Sequence, residues 1–421
     1  MIARNRFLLA SVLAAVSIPM LGTLSRPVLA EDAAAVAPSQ DKPATPDVAA
    51  KWNNGVSVES ADGSNTVQIG GLIQADGRFD VSDPTSTVVD TLLLRRVRPI
   101  LQGRVDKFFE FRLMPDFAGG TLVLFDAYVD TKFSNAFRIR IGKDKTPIGL
   151  EQLQSDYALL FPERSLANNL VPNRDVGVQV QGSIAHGAVS YIGAVFNGIP
   201  DGTNGDTDAN GGKDLVGRVT VKLGSLGVAV SGSTGSQSGV LASFKSNAQQ
   251  TFFSYGSGVS AAGTRTRVSP SAFFYRGPFG AFTEYMRSSQ IVAKGIVQGD
   301  VANTAWEVTG SVVATGERVS DRGVTPKRPL DPTHGQWGAL QLAARFSSLT
   351  GDPQAFSLGF ASATASQSAK AVGVGVTWYA NAHVKDVLTF ERTVFDGSTT
   401  GPRRPENAIV FRVQLNLQPG L

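Results

Sequence analysis

The chain has 421 residues, no cysteine, and 39 Lys+Arg against 35 Asp+Glu. Without cysteine there is no disulfide framework, thiolate-ligated zinc, Fe–S cluster or thiol nucleophile, and His186, His334 and His383 are too few for a His-rich metal centre. The N-terminus carries a basic stretch with Arg4 and Arg6, an apolar run over residues 7–16, and Val28-Leu29-Ala30 ahead of Glu31-Asp32. Pro19 and Gly22 interrupt the run, which falls short of the roughly 20 residues a helical span needs. This is the layout of a cleaved export signal over residues 1–30. Arg4, Arg6 and Arg26 lie in that segment, which has no acidic residue; removing them leaves 36 basic against 35 acidic residues. The sequence pI near 9.2 therefore comes largely from the signal and implies no nucleic-acid partner.

Residues 31–51 are rich in Ala, Pro and Asp, with Pro38, Pro43 and Pro46, and read as a flexible periplasmic lead-in. A single β domain is expected over residues 52–421. Its dominant signal is a period of two, in which successive side chains of a strand point to opposite faces. Gln68, Gln74, Asp76 and Arg78 alternate with Val67, Ile69, Ile73 and Phe79. Arg96, Arg98, Gln102 and Arg104 oppose Val97, Pro99, Leu101, Gly103 and Val105, and a turn is expected at Asp106-Lys107. Glu110, Arg112 and Asp116 oppose Phe109, Phe111 and Leu113. Asp126, Tyr128 and Asp130 oppose Val123, Phe125 and Val129. The same holds for Arg138 and Arg140, for Arg218 and Lys222, for Arg265 and Arg267, for Glu307, for Arg345, for Gly373 and Gly375, and for Arg412 and Gln414.

Alternation alone fits a soluble sandwich or a membrane barrel. Export, polar faces built on paired arginines, and length favour the barrel. The roughly 370 residues after the lead-in, at roughly 20–24 per strand with its connections, make about 16 strands, wide enough for an aqueous channel. The expected fold is all-β: a transmembrane antiparallel β-barrel. Phe79, Phe117, Phe133, Phe273, Tyr285, Trp306 and Trp378, near strand ends, are candidates for interface girdles. Residues 143–174 break the alternation and form a long connection, the expected inward-folded constriction loop, with Lys143, Lys145, Arg164 and Arg174 toward the pore. The histidines sit in turn-like segments, no nucleophile–base constellation is present, and no Gly-rich phosphate loop follows a strand. Neither an enzyme nor a cofactor is expected.

The stretch Leu94-Arg95-Arg96-Val97-Arg98-Pro99 with Gly103, then Phe109-Glu110-Phe111 and Asp116-Phe117, resembles the phosphate-selective porin O and P family. So do Asp126-Ala127-Tyr128, Ile139-Arg140-Ile141-Gly142-Lys143, Lys145-Thr146-Pro147-Ile148-Gly149-Leu150-Glu151, Phe161-Pro162-Glu163-Arg164-Ser165, Asn173-Arg174-Asp175-Val176-Gly177-Val178 and Gly193-Ala194-Val195-Phe196-Asn197-Gly198. Residues 338–346 and Thr377-Trp378-Tyr379 extend the likeness, while 225–330 is weakly patterned. The resemblance implies a trimeric 16-stranded porin of the Gram-negative outer membrane, narrowed by an inward-folded loop and lined with basic residues along an anion path. The chain departs from the usual aromatic terminus, ending Gln418-Pro419-Gly420-Leu421 after a last strand that stops near Leu417.

On this reading the anion path takes Arg96, Arg98, Arg104, Arg112, Arg138, Arg140, Arg218, Lys222, Arg265 and Arg267, with Arg345 and Arg412 on the same parity. Glu110, Asp116, Asp126, Asp130, Glu307 and Glu391 face them. Rings of Arg or Lys attract anions and repel cations, and the guanidinium fork matches phosphate oxygens. The expected partners are outer-membrane lipid and small anions, phosphate among them, with a homotrimer as the assembly. The alternatives are a general small-solute porin without phosphate preference and a plugged structural barrel.

Overall fold

The computed structural model describes residues 48–52, 54–81, 90–203, 205–207, 210–398 and 400–418. The expected signal peptide, residues 31–47 of the lead-in and the last three residues lie outside these. Sixteen strands make the wall: β1 (Thr66–Asp80), β2 (Thr91–Val105), β3 (Phe109–Asp116), β4 (Val123–Lys132), β5 (Arg138–Lys145), β6 (Arg174–Ile184), β7 (Val189–Phe196) and β8 (Asp214–Leu223) form the first half. The second half is β9 (Leu226–Gly239), β10 (Val259–Arg276), β11 (Phe279–Lys294), β12 (Val297–Val313), β13 (Ala339–Thr350), β14 (Ser368–Tyr379), β15 (Val384–Asp396) and β16 (Glu406–Leu417). Each strand pairs antiparallel with the next, and β16 returns to β1 with Arg412 opposite Asp76 and Gln414 opposite Gln74. Closure leaves the wall without a free edge, which a sheet in lipid requires. A hairpin, Val48–Trp52 with Val56–Ser60, extends the sheet beside the start of β1 and begins inside the expected lead-in.

The alternation has its expected cause, with the sense of a membrane barrel. On β2, Arg96, Arg98 and Gln102 are 3%, 4% and 1% exposed, whereas Leu101 and Val105 are 37% and 44% exposed; a bulge at Arg95 swaps the parity, so the even-numbered Leu92 and Leu94 also face out. On β14 the exposed set is Val372, Val374 and Val376, with Gly373, Gly375 and Thr377 turned inward. A soluble sandwich would bury these valines and wet these arginines. Phe79, Phe117, Phe133, Tyr285 and Trp306 are exposed on the outer surface. Phe273 is not: it shares the inward parity of Arg265 and Arg267 and lies 5.9 Å from Tyr275, centroid to centroid. Pro115, which has no N–H for the ladder, sits at a bulge in β3.

Strand alternation sorts the connections by end. The turns 106–108, 133–137, 185–188, 224–225, 277–278 and 380–383 share one end, the periplasmic one by the usual asymmetry of such barrels. Asp106 and Lys107 turn there with φ of 51° and 65°. The opposite end carries the longer connections, including 146–173, 197–213, 240–258 and 351–367. Residues 314–338 are the exception, a long connection on the short-turn side.

The apolar core lies inside the barrel. Ile148, Leu166, Leu170, Phe244, Phe252, Phe253, Ala355 and Phe360 from three long loops pack on Val216, Met286, Val292, Val301, Ala305 and Leu349 of β8 and β11–β13. This explains the weak patterning of 225–330. On β11, Met286 and Val292 face the packed loops while Thr283, Arg287 and Ser289 face out, so both faces mix polar and apolar residues and the period fades.

Candidate functional site

Residues 146–173 leave β5 and cross the lumen before returning at β6. Pro147 interrupts the ladder, and Gly149, at φ 77° and ψ 139°, turns the chain into a helical turn, Leu150–Leu153. That backbone position suits glycine, and a Cβ there would stand 3.1 Å from Val171. Ile148, Leu166, Ala167, Leu170 and Val171 hold the loop to the apolar side of the lumen. Its far limb reaches the opposite wall through backbone carbonyls. Pro162 O accepts from Arg412 at 2.8 Å, Leu159 O from Lys385 at 2.9 Å, Glu163 O from Arg345 at 2.9 Å and Tyr157 O from Gln414 at 3.1 Å. Gly373 keeps room for this limb, since a Cβ there would meet the Phe161 ring at 3.0 Å.

Two carboxylates of the loop gather the arginines of β1 and β2. Asp156 pairs with Arg98, with Arg164 at 2.7 Å and with Arg96 at 3.5 Å. Glu163 takes a two-point contact from Arg95, at 2.6 and 3.0 Å, and another from Arg78 at 2.5 Å. Burial by itself would raise both acids. On Asp156 it is outweighed by Arg96, Arg164 and Arg98, on Glu163 by Arg95 and Arg78, so both stay below the ordinary carboxylate range.

The other sequence-derived candidates are placed as follows. Arg98 also binds Asp116 at 2.6 Å, and Arg96 binds Gln74 at 2.6 Å. Arg98 and Arg174 both stack on Phe125, at 4.2 and 4.5 Å from its centre. Arg112 and Arg174 share Asp126, at 3.1 and 2.6 Å. Arg140 clamps Asp130 at 2.7 Å, pairs with Asp144 and stacks on Tyr128 at 3.7 Å; Arg138 lies 3.3 Å from Asp130. Arg265 meets Asp214 at 2.9 Å, and Arg267 meets Asp201 and Leu170 O. Arg104 binds Gly63 O at 3.1 Å, and Arg218 binds Ser231 at 3.5 Å. Lys222 is exposed at the short-turn end of β8, away from the buried arginines of the lumen. Lys143 and Lys145 belong to β5 and Arg174 to β6, so of the four loop candidates only Arg164 lies within the loop proper. Lys143 pairs with Asp206 of the next loop, and Lys145 binds Gln152 O and Gln154 O at 2.7 and 2.8 Å.

Two cavities meet the loop from opposite sides. The outer, of about 610 Å³, is lined by Arg95, Arg96, Arg98, Arg164, Arg174 and Lys245 against Asp156, Glu163 and Asp201. The inner, of about 400 Å³, is lined by Arg112, Arg322, His383 and Lys385 with Asn381, Gln414 and Asn416, and by no carboxylate among the described residues. Ser155 and Tyr157 line the inner cavity and Asp156 the outer, so this tripeptide is the partition. Sequence parity did not reveal Arg322. It comes from the long periplasmic connection, where Val319–Ser320 pairs with Gly323–Val324 and the two valines pack with Val313, Ala339 and Tyr379. The available signal was Asp321-Arg322-Gly323, a turn-type tripeptide between two valines.

The family model for phosphate-selective porin O and P matches residues 67–417. No curated protein matches the chain. Among solved structures, the outer membrane channel DcaP of Acinetobacter baumannii is similar with a TM-score of 0.57 and 12% identity, over 85% of this chain and 98% of that one. An anion-selective porin from Comamonas acidovorans gives 0.54 and 10%, over 83% and 99%. The trimer form of OmpT, an outer membrane protein of Vibrio cholerae, gives 0.53 and 10%, over 84% and 99%. At these identities the likeness is one of fold.

Proposed function

This chain belongs to the phosphate-selective porin O and P family, and we propose that, as an outer-membrane porin, it passes small anions, phosphate among them, by passive diffusion. The observation that carries the anion reading is the inner cavity: Arg112, Arg322, His383 and Lys385 converge there with no carboxylate among its described lining residues. An anion entering it trades hydration for charge-assisted bonds to fixed donors, Arg322 and Lys385 beside Arg112, which is already paired with Asp126, while a cation finds no carboxylate among the described lining residues. The outer cavity offers six cations to three carboxylates. The loop of residues 146–173 is the constriction on this reading, with Asp156 and its arginines between the two cavities. Residues 1–30 direct export and are removed, and three chains associate through the apolar outer wall.

The ion pairs of the outer arginines support a second reading. Arg95, Arg98 and Arg174 are each neutralised by a carboxylate, which suits a general anion pore without phosphate preference. Reconstitution in a planar bilayer under a potassium chloride gradient separates the possibilities. The expected result is a reversal potential of anion sign and a chloride current that falls as phosphate is added. A cation-sign potential overturns the anion reading. An anion current indifferent to phosphate overturns phosphate preference alone, and no conductance leaves a plugged barrel.

A further inference from the structure

Beneath the helical turn Leu150–Leu153, three buried carboxylates converge: Glu151 of the loop, Glu284 of β11 and Glu307 of β12, with donor oxygens within 4.8 Å of one another. Glu284 and Glu307 are directly opposite in the ladder. Their side chains face each other within hydrogen-bonding reach. Glu284 Oε2 accepts the Leu150 N–H and Glu307 Oε2 accepts the Thr309 hydroxyl. Among the described residues the remaining Oε1 of each meets no N–H or hydroxyl donor, at 2% and 0% residue exposure. Ser165, whose N–H binds Glu151 Oε2 at 2.7 Å, has no partner for its hydroxyl among them either.

The charges do not balance. Glu151 and Glu391 share Arg345, at 3.2 and 2.7 Å. Arg218 is the cation acting on Glu284, and its own hydrogen bond goes to Ser231. Fully ionised, four carboxylates against two guanidinium groups would leave two negative charges in a dry site, a cost that either a shared proton or a bound cation must remove. A hard divalent cation supplies the missing charge. Calcium binds carboxylate and hydroxyl oxygens at about 2.3–2.6 Å, which allows two of its ligands to lie up to about 5 Å apart.

We infer that Glu151, Glu284 and Glu307 form a calcium-type divalent cation site that latches the inward-folded loop to β11 and β12. The unpartnered oxygens of Glu284 and Glu307 are its principal new ligands, with Glu151 contributing from the loop. Both limbs of the loop then depend on the ion, because Leu150 hangs on Glu284 and Ser165 on Glu151.

The test uses the full chain folded in detergent, equilibrated with millimolar calcium, passed through a desalting column and assayed for metal content, with and without chelator. One retained calcium per chain is expected, removed by the chelator and absent from Glu284→Gln/Glu307→Gln. Glu391→Gln, which touches Arg345 but lies outside the triad, retains it. Chelation is expected to raise open-channel current noise in the wild type and leave the double variant unchanged. Wild-type protein that retains no calcium overturns the site without recourse to any variant. Equal retention by the double variant overturns the assignment to these residues. Noise that follows pH and ignores chelator means that the two carboxyl groups share a proton, which also overturns it. None of these outcomes depends on which ion the pore prefers.

Discussion

Arg412 and Asp76 show what most lumen arginines do. They are 2% and 0% exposed, meet through two bonds of 2.6 and 2.7 Å, and stand opposite each other where the last strand closes on the first. Arg412→Ala leaves the buried Asp76 with Arg78 alone, at 3.1 Å, so it is expected to lower stability by about 1–3 kcal/mol. Arg412→Met with Asp76→Leu should cost far less. Urea unfolding of the bilayer-inserted barrel measures both, and equal losses would mean that the pair is not coupled. Arg322 and Lys385 are different, because their cavity has no described carboxylate. Replacing either by Ala is expected to lower the anion-to-cation permeability ratio by up to about fivefold, since a unit charge near the path is worth about 1 kcal/mol in water. The effect should be larger in dilute salt. A reversal potential that does not move in either variant would place both residues off the ion path.

At the scale of elements, the loop of residues 146–173 is held by an apolar underside and a charged rim, and the two respond to different perturbations. The rim rests on Asp156 and Glu163, both held below their ordinary values of 3.8 and 4.5. A depressed carboxylate contributes stability above its unfolded pKa and loses it only as pH falls through the lower folded value. Conductance and selectivity set by the rim should therefore stay constant from neutral pH down through about pH 4, where unperturbed carboxylates titrate. They should shift only in stronger acid. A selectivity transition near pH 4.5 in single-channel records would contradict this. The underside turns at Gly149, whose φ of 77° a side chain adopts only with strain. Gly149→Ala is expected to cost about 1–3 kcal/mol locally and to appear as a more variable channel conductance, with the wall's unfolding midpoint nearly unchanged.

For the whole molecule, the wall is an inverted protein, with arginines inside and valines out, stable because lipid covers the apolar face. Val374, 53% exposed at the middle of β14, reports on this directly. Val374→Arg puts a charge into hydrocarbon and is expected to destabilise the barrel by about 2–4 kcal/mol, whereas in a soluble protein an exposed Val→Arg is nearly neutral. Unfolding in lipid vesicles measures it. The lumen is also lopsided. Loops fill the side of β8 and β11–β13 with a packed apolar core, and the two cavities on either side of Asp156 lie toward the arginine-bearing strands β2 and β3 and the β14–β16 side.

The sequence by itself determined the wall. Inward and outward sets on β1, β2 and β14 are legible because lipid and lumen impose opposite chemistries on alternate residues, and alternation is a local property. Glycines at 373 and 375 were legible as inward but not as the floor beneath Phe161, which lies far away in sequence. The same distance hid the partners. Nothing local to Arg412 announces Asp76, and nothing in residues 314–338 announces that Val319 and Val324 carry Arg322 to the cavity beside Lys385. In β11 the rule failed for a stated reason: where the loops pack, the inward face takes Phe282, Met286 and Val292 among Glu284, Ser288 and Gln290, so neither face is uniformly polar and the period fades. Which arginines are neutralised, which stand without a carboxylate, and where acids crowd without enough cations were decided only when the barrel closed and the loops folded in. Electrostatic pairing depends on distance in space, and a period-two pattern reports only which side of the wall a residue faces.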